Sequence, residues 1–183
     1  GLFNYGGMIA IQTLWAGPWM VRVAGYTPLE SATGLFWING TMLFAFFIFG
    51  YILPKITKLG FKTMRLMKIG LPVSYLFLLI IIISGENAGT IHFTMYILTS
   101  IVLTLAQPAV ALSFPTSLAG KSLTSFNLLI FVGTFIMQWG IGLVIDLSQY
   151  LGKGETQSFQ ISFIVYLIIC ILSYSYFIMK NKN

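Results

Sequence analysis

The sequence predicts an all-α integral membrane protein with six transmembrane helices, and three observations carry that prediction. Six mostly apolar runs recur along the 183 residues, each close to the roughly 20 residues that a helix needs to cross a hydrocarbon core of about 30 Å. Only 8% of the chain is charged, whereas an ordinary soluble domain is about one quarter charged. Soluble helices built from this sequence would lack polar faces. The charges that exist are also sorted: all four acids fall in one set of connecting segments and eight of the ten bases fall in the other.

The runs lie near residues 3 to 23, 31 to 53, 66 to 84, 91 to 113, 123 to 145 and 158 to 179. A secretory signal peptide has one short apolar region and then stops, so it does not account for runs that recur to the C-terminus. The first run carries Gln12, Trp15 and Trp19 at i, i+3 and i+7, which places them on one helical face. Gly17-Pro18 falls inside the same run, and a proline there removes a backbone hydrogen bond and opens a kink. The second run holds Asn39 and Thr41. The third is the least polar, with an unbroken aliphatic and aromatic stretch from Leu76 to Ile83. Thr99, Ser100, Thr104 and Gln107 lie in the fourth, with Pro108 beside Gln107 as a second kink. The fifth carries Asn127, Thr134, Gln138 and Trp139, and Gly133, Gly140 and Gly142 offer a smooth strip for close helix approach. Beyond Gln160 at its start, the sixth adds only Ser, Tyr and Cys170 to its aliphatics and aromatics.

Orientation follows from the bases, which favour short cytoplasmic loops. Lys55, Lys58, Lys62, Arg65 and Lys68 cluster between the second and third runs, Lys121 lies between the fourth and fifth, and Lys180 and Lys182 follow the sixth. Glu30, Glu86, Asp146 and Glu155 occupy the opposite side, where Arg22 and Lys153 are the two exceptions. Six spans then put both termini in the cytoplasm. The net charge of +6 therefore reports topology, with a contribution from anionic headgroups near the second loop. No nucleic-acid partner is expected, because that loop has scattered bases and a single flanking aromatic, Phe61.

Catalysis has little to work with. Cys170 has no partner for a disulfide, His92 stands alone, and the four acids are exterior. No nucleophilic set, paired carboxylates, metal cluster or phosphate loop can be assembled from these residues, so neither an enzyme nor a cofactor is expected. What remains is the polar content of the runs, which should face protein or a water-filled cavity. That content divides the helices. The third and sixth should face lipid, and the first, second, fourth and fifth should surround something polar, with Gln12, Trp15, Trp19, Asn39, Gln107, Asn127 and Gln138 as cavity candidates. The competing reading is that these amides only join neighbouring helices, each contributing under about 1 kcal/mol.

Two stretches carry a family resemblance. Gln12-Thr13-Leu14-Trp15-Ala16-Gly17-Pro18-Trp19, followed by Val23-Ala24-Gly25, resembles the seventh helix of bacterial major facilitator superfamily members loosely described as nitrate/nitrite-type or sugar-phosphate-type carriers. Phe114-Pro115, Ala119-Gly120-Lys121, Asn127, Phe131, Gly133, Gln138-Trp139-Gly140, Gly142 and Ile145-Asp146 are similar to the loop and eleventh helix of that group. The family's cytoplasmic loop motif is matched in part by Gly50, Lys55, Lys58, Gly60 and Lys62, with Pro54 where the family has an Asp. That departure leaves the family's gating role without its acid.

The resemblance implies the C-terminal six-helix half of such a transporter, a single domain over 1–183 with two inverted three-helix repeats, about 1–85 and 86–183. It further implies alternating access in the bacterial inner membrane, by secondary active or facilitative transport of a small-molecule substrate. Because the chain begins at Gly1 inside what resembles a seventh helix, the expected partners are the bilayer and either an N-terminal six-helix half of a longer chain or a second copy. No base lies at membrane depth to hold a strongly anionic solute, which argues against a nitrate-type substrate. The alternative class is a non-transporting six-helix assembly or sensor module, for instance a homodimer.

Overall fold

The computed structural model describes residues 1–59 and 63–180, and among them the regular structure is helical throughout. Helix α1 (Leu2–Ala10) runs into a π-helical turn (Ile11–Trp15) and continues as α2 (Ala16–Arg22). Helix α3 (Pro28–Lys58) follows a reciprocal cap in which the Glu30 N–H donates to Thr27 Oγ1 and the Thr27 N–H donates to Glu30 Oε2, with Pro28 at the first helical position. Helix α4 (Thr63–Ser84) ends in a short 3-10 turn, and Gly89 precedes α5 (Thr90–Thr99). A six-residue 3-10 stretch (Ser100–Leu105) then leads into α6 (Ala106–Leu112). Helices α7 (Thr116–Tyr150) and α8 (Glu155–Lys180) complete the chain.

Five of these helical segments are long and apolar enough to cross a membrane: Pro28–Lys58, Thr63–Asn87, Thr90–Leu112, Thr116–Tyr150 and Glu155–Lys180. The chain is an α-helical membrane protein. The first expected run is helical from Leu2 to Arg22, but the π turn divides it into pieces shorter than a span.

Two ends can be told apart. At one, Arg22 pairs with Glu155 and Thr156 Oγ1 donates to Glu86 Oε1 at 3.3 Å. At the other, the Tyr174 hydroxyl donates to the Lys68 carbonyl at 2.7 Å. The acids near Arg22 are thus separated by the length of the helices from Lys68 and its neighbours. Arg22, one of the two exceptions in the charge pattern, sits on the acidic side because Glu155 is its partner.

The centre is aromatic and polar. Trp19 is fully buried against Phe93, Phe159 and Phe163, with ring centroids 6.1, 6.0 and 4.7 Å away. Deeper toward the basic end, the Tyr75 hydroxyl donates to Asn4 Oδ1 at 2.6 Å and Tyr96 and Tyr166 share a hydrogen bond of 3.0 Å. No buried side-chain polar atom among the described residues lacks a partner, as a polar group enclosed by apolar surroundings requires. Helix α1 lies on α7 with backbone against backbone: a Cβ added at Gly6 would sit 2.6 Å from the Gly133 carbonyl carbon.

Two expectations are corrected. Helix α7 begins at Thr116, seven residues before the apolar run, because a polar sequence rich in Ser and Thr there is helical even though it is not hydrophobic. Helix α3 continues through Pro54 to Lys58, so Gly50, Lys55 and Lys58 are helical and not in a loop, and the Lys55 Nζ lies 3.7 Å from the Tyr51 ring centroid. The residues Gly60 and Lys62 of the same motif lie outside the described residues. Helices α4 and α8, the expected lipid-facing pair, pack on one another and expose apolar stripes, and within this chain α3 is the least buried span.

Candidate functional site

The site begins with the π turn. Pro18 has no N–H to give the Leu14 carbonyl, and its ring crowds that carbonyl. The backbone widens just upstream, where the Ala16 N–H donates to the Ile11 carbonyl five residues back. Thr13 Oγ1 donates to the Ile9 carbonyl at 2.7 Å, a side-chain bond of the kind that bends helices. A π turn holds more residues than an α turn, so side chains that would share one face are fanned apart.

That fan separates the three residues of the first run. Gln12 points to α3, Trp15 to α7 and Trp19 into the core. Gln12 Nε2 donates to Asn39 Oδ1 at 2.9 Å and to Met42 Sδ at 3.2 Å. Asn39 is held in turn, because its Nδ2 donates to the Leu35 carbonyl at 2.7 Å. Across the turn, Gln138 Nε2 donates to Thr13 Oγ1 at 3.1 Å, and the Trp15 indole N–H donates to the Gln138 carbonyl at 3.1 Å. The Trp15 ring meets Phe159 edge-on, with centroids 6.1 Å apart.

This network fixes which way the amides face. The Leu35 carbonyl accepts from Asn39, so the Asn39 oxygen is the atom offered to Gln12, and Gln12 must present its NH₂. Thr13 spends its hydrogen on Ile9, so Gln138 must donate to it. Both glutamine side-chain oxygens, Gln12 Oε1 and Gln138 Oε1, are left without a protein donor among the described residues, on side chains that are only half-buried. The group can therefore accept hydrogen bonds from a solute or water.

Gln107 and Asn127 form a separate pair, with Gln107 Nε2 donating to Asn127 Oδ1 at 3.2 Å. Asn127 is eleven residues from Gln138 along α7, or about 16 Å at 1.5 Å per residue. Trp19 is a correction: its indole N–H donates to the Ala88 carbonyl at 3.1 Å and it has no exposed surface, so it holds the core and lines no open cavity. The hydroxyls of Thr99, Ser100, Thr104 and Thr134 all bond carbonyls of their own helices. Thr13 and Met42 belong to the site although sequence reasoning passed over both. The adjacency of Thr13 to Gln12 was the available signal for the first. Nothing in the spacing marked Met42.

No protein-family model, curated protein or solved structure matches the chain.

Proposed function

We propose that the chain forms one wall of a solute pathway across a membrane, as the C-terminal half of a transporter of the major facilitator kind that works by alternating access. The single observation that carries this reading is the half-exposed amide group around the π turn, Gln12 with Asn39 and Thr13 with Gln138, midway along the first helical run. Exposed amides at that depth are stable where water or a solute reaches them. Irregular backbone in the first and fourth runs, each beside a proline, supports the same reading. So does one reciprocal pair of contacts, the first run on the fifth and the fourth on the second, which inverted repeats would relate to each other, whereas the third run lies chiefly on the fourth and the fifth lies on the sixth without a comparable contact between the second and third. In this reading the basic end and both termini are cytoplasmic.

Cysteine accessibility tests it in the full protein as expressed from its gene. Cys170 is 1% exposed and should stay silent to the reagent, so labelling of N39C is read against the unaltered protein as background. A membrane-impermeant maleimide should label N39C in both right-side-out and inverted vesicles. Labelling from neither side would sink the pathway.

The mutual bonding of Gln12 with Asn39 favours one second reading, a non-transporting assembly module in which the amides are structural. It predicts that Q12L and Q138L lower stability and leave N39C unreactive.

A further inference from the structure

Between the π turn and the outer part of α7 lies an open groove of about 350 Å³, within the size range of small-molecule sites, about 300 to 1,000 Å³. Its walls are Leu14, Phe135, Gln138, Trp139, Leu143 and Asp146. Phe135, Trp139, Gly142 and Asp146 stand at i, i+4, i+7 and i+11 of α7, so they form one continuous stripe along the helix. Gly142 keeps the floor low, since a Cβ there would already lie 3.3 Å from the Trp15 ring.

The chemistry of this groove has one sign. Asp146 is the one ionisable group lining it, and among the described residues it makes no ion pair and no hydrogen bond. Phe135 and Trp139 are 69% and 64% exposed, with their ring surfaces available to the groove. Gln138 contributes the side-chain oxygen that has no donor. A carboxylate, two aromatic rings and an amide acceptor attract a positive centre, because the faces of aromatic rings carry negative potential. No base lines the groove to receive an anion. The apolar walls, Leu14 and Leu143, suit a hydrocarbon body.

We propose that this groove binds a monovalent organic cation with an apolar body, such as a quaternary or protonated amine, with Asp146 as its counter-charge and Phe135 and Trp139 as its ring contacts. The inference deepens the transport reading by naming the solute class and rests on that reading for the step across the membrane.

The test is equilibrium binding of radiolabelled benzyltrimethylammonium to the purified full-length protein. Binding should be saturable, weakened about tenfold or more by D146N, and restored by D146E, which returns the charge. W139L should also weaken it, and benzenesulfonate, of similar size and opposite charge, should not compete. Equal binding by D146N and the unaltered protein would overturn the inference, as would displacement by benzenesulfonate. If D146N fails to fold, W139L decides, and unchanged affinity in that variant overturns the ring contacts and the site with them. N39C labelling separates the two failures. Cation binding with N39C closed removes transport and leaves a cation receptor, whereas N39C open without cation binding removes only the solute class.

Discussion

Trp19 shows how far a single residue can depart from its place in a sequence pattern. Its spacing from Gln12 and Trp15 assigned it to a shared face, and the π turn at residues 11–15 sent it into the core instead. Sequence periodicity assumes a constant 3.6 residues per turn and has no means of showing an inserted one. Because the indole is wholly enclosed by three phenylalanines, W19A should destabilise the fold by about 3 to 5 kcal/mol. W19F should lose less, about 1 to 3 kcal/mol, from the ring volume and the orphaned Ala88 carbonyl. Unfolding in a denaturing detergent would measure both. By contrast, Arg22 and Glu155 are each nearly half-exposed, and an ion pair of that kind contributes about 0 to 1 kcal/mol. R22A should therefore leave the same unfolding curve almost unmoved, and a large shift would assign the pair a role beyond its charge.

Among the elements, the glycine strip of α7 was legible in part. Gly133 meets Leu2 and Gly6, and Gly142 meets Trp15, but Gly140 faces open space. A Cβ at Gly133 would lie against the Leu2 carbonyl oxygen, which is backbone and cannot step aside. G133A should thus destabilise by about 1 to 3 kcal/mol, the range for overpacking, while G140A, with open space around its Cβ, should stabilise by up to about 1 kcal/mol. The comparison isolates the crossing from helix propensity, since both changes add the same methyl. The π turn makes a second prediction. Removing Leu14, an exposed residue within it, takes out the extra residue that the turn absorbs, so an ordinary helix should join α1 to Ala16–Arg22 with the orientation of both kept. The Gln12 contact to Asn39 and the Trp19 contact to Ala88 should then both keep their register, so the deletion should lower the yield of monodisperse protein little more than L14A does.

For the whole molecule, the sequence was most informative where a property sums over many residues. Apolar length located the five spanning segments and the helical first run, and charge sorting anticipated which ends lie together. It was least informative where polarity and helicity diverge, as at residues 116–122 of α7, which are polar and helical at once. The candidate site was legible as a list and not as an arrangement. Gln12, Asn39, Trp15 and Gln138 converge, Gln107 and Asn127 pair elsewhere, and only tertiary contacts decide between those outcomes. If the basic end is cytoplasmic, a green fluorescent protein fused after residue 183 should fluoresce, and an alkaline phosphatase at the same position should be inactive. The reverse pair of results would invert the topology.

The crossing of α1 and α7 also bears on motion. Most helix contacts can creep, because side chains change rotamer and let two rods slide by fractions of a turn. At Gly6 and Gly133 there is no intervening layer of side chains to yield. The two helices can pivot about that point but cannot draw apart without leaving bare peptide facing bare peptide. Any change of shape in this protein should then carry α1 and α7 as a couple, with bending concentrated where the helical ladder is already irregular, at residues 11–15 and 100–105.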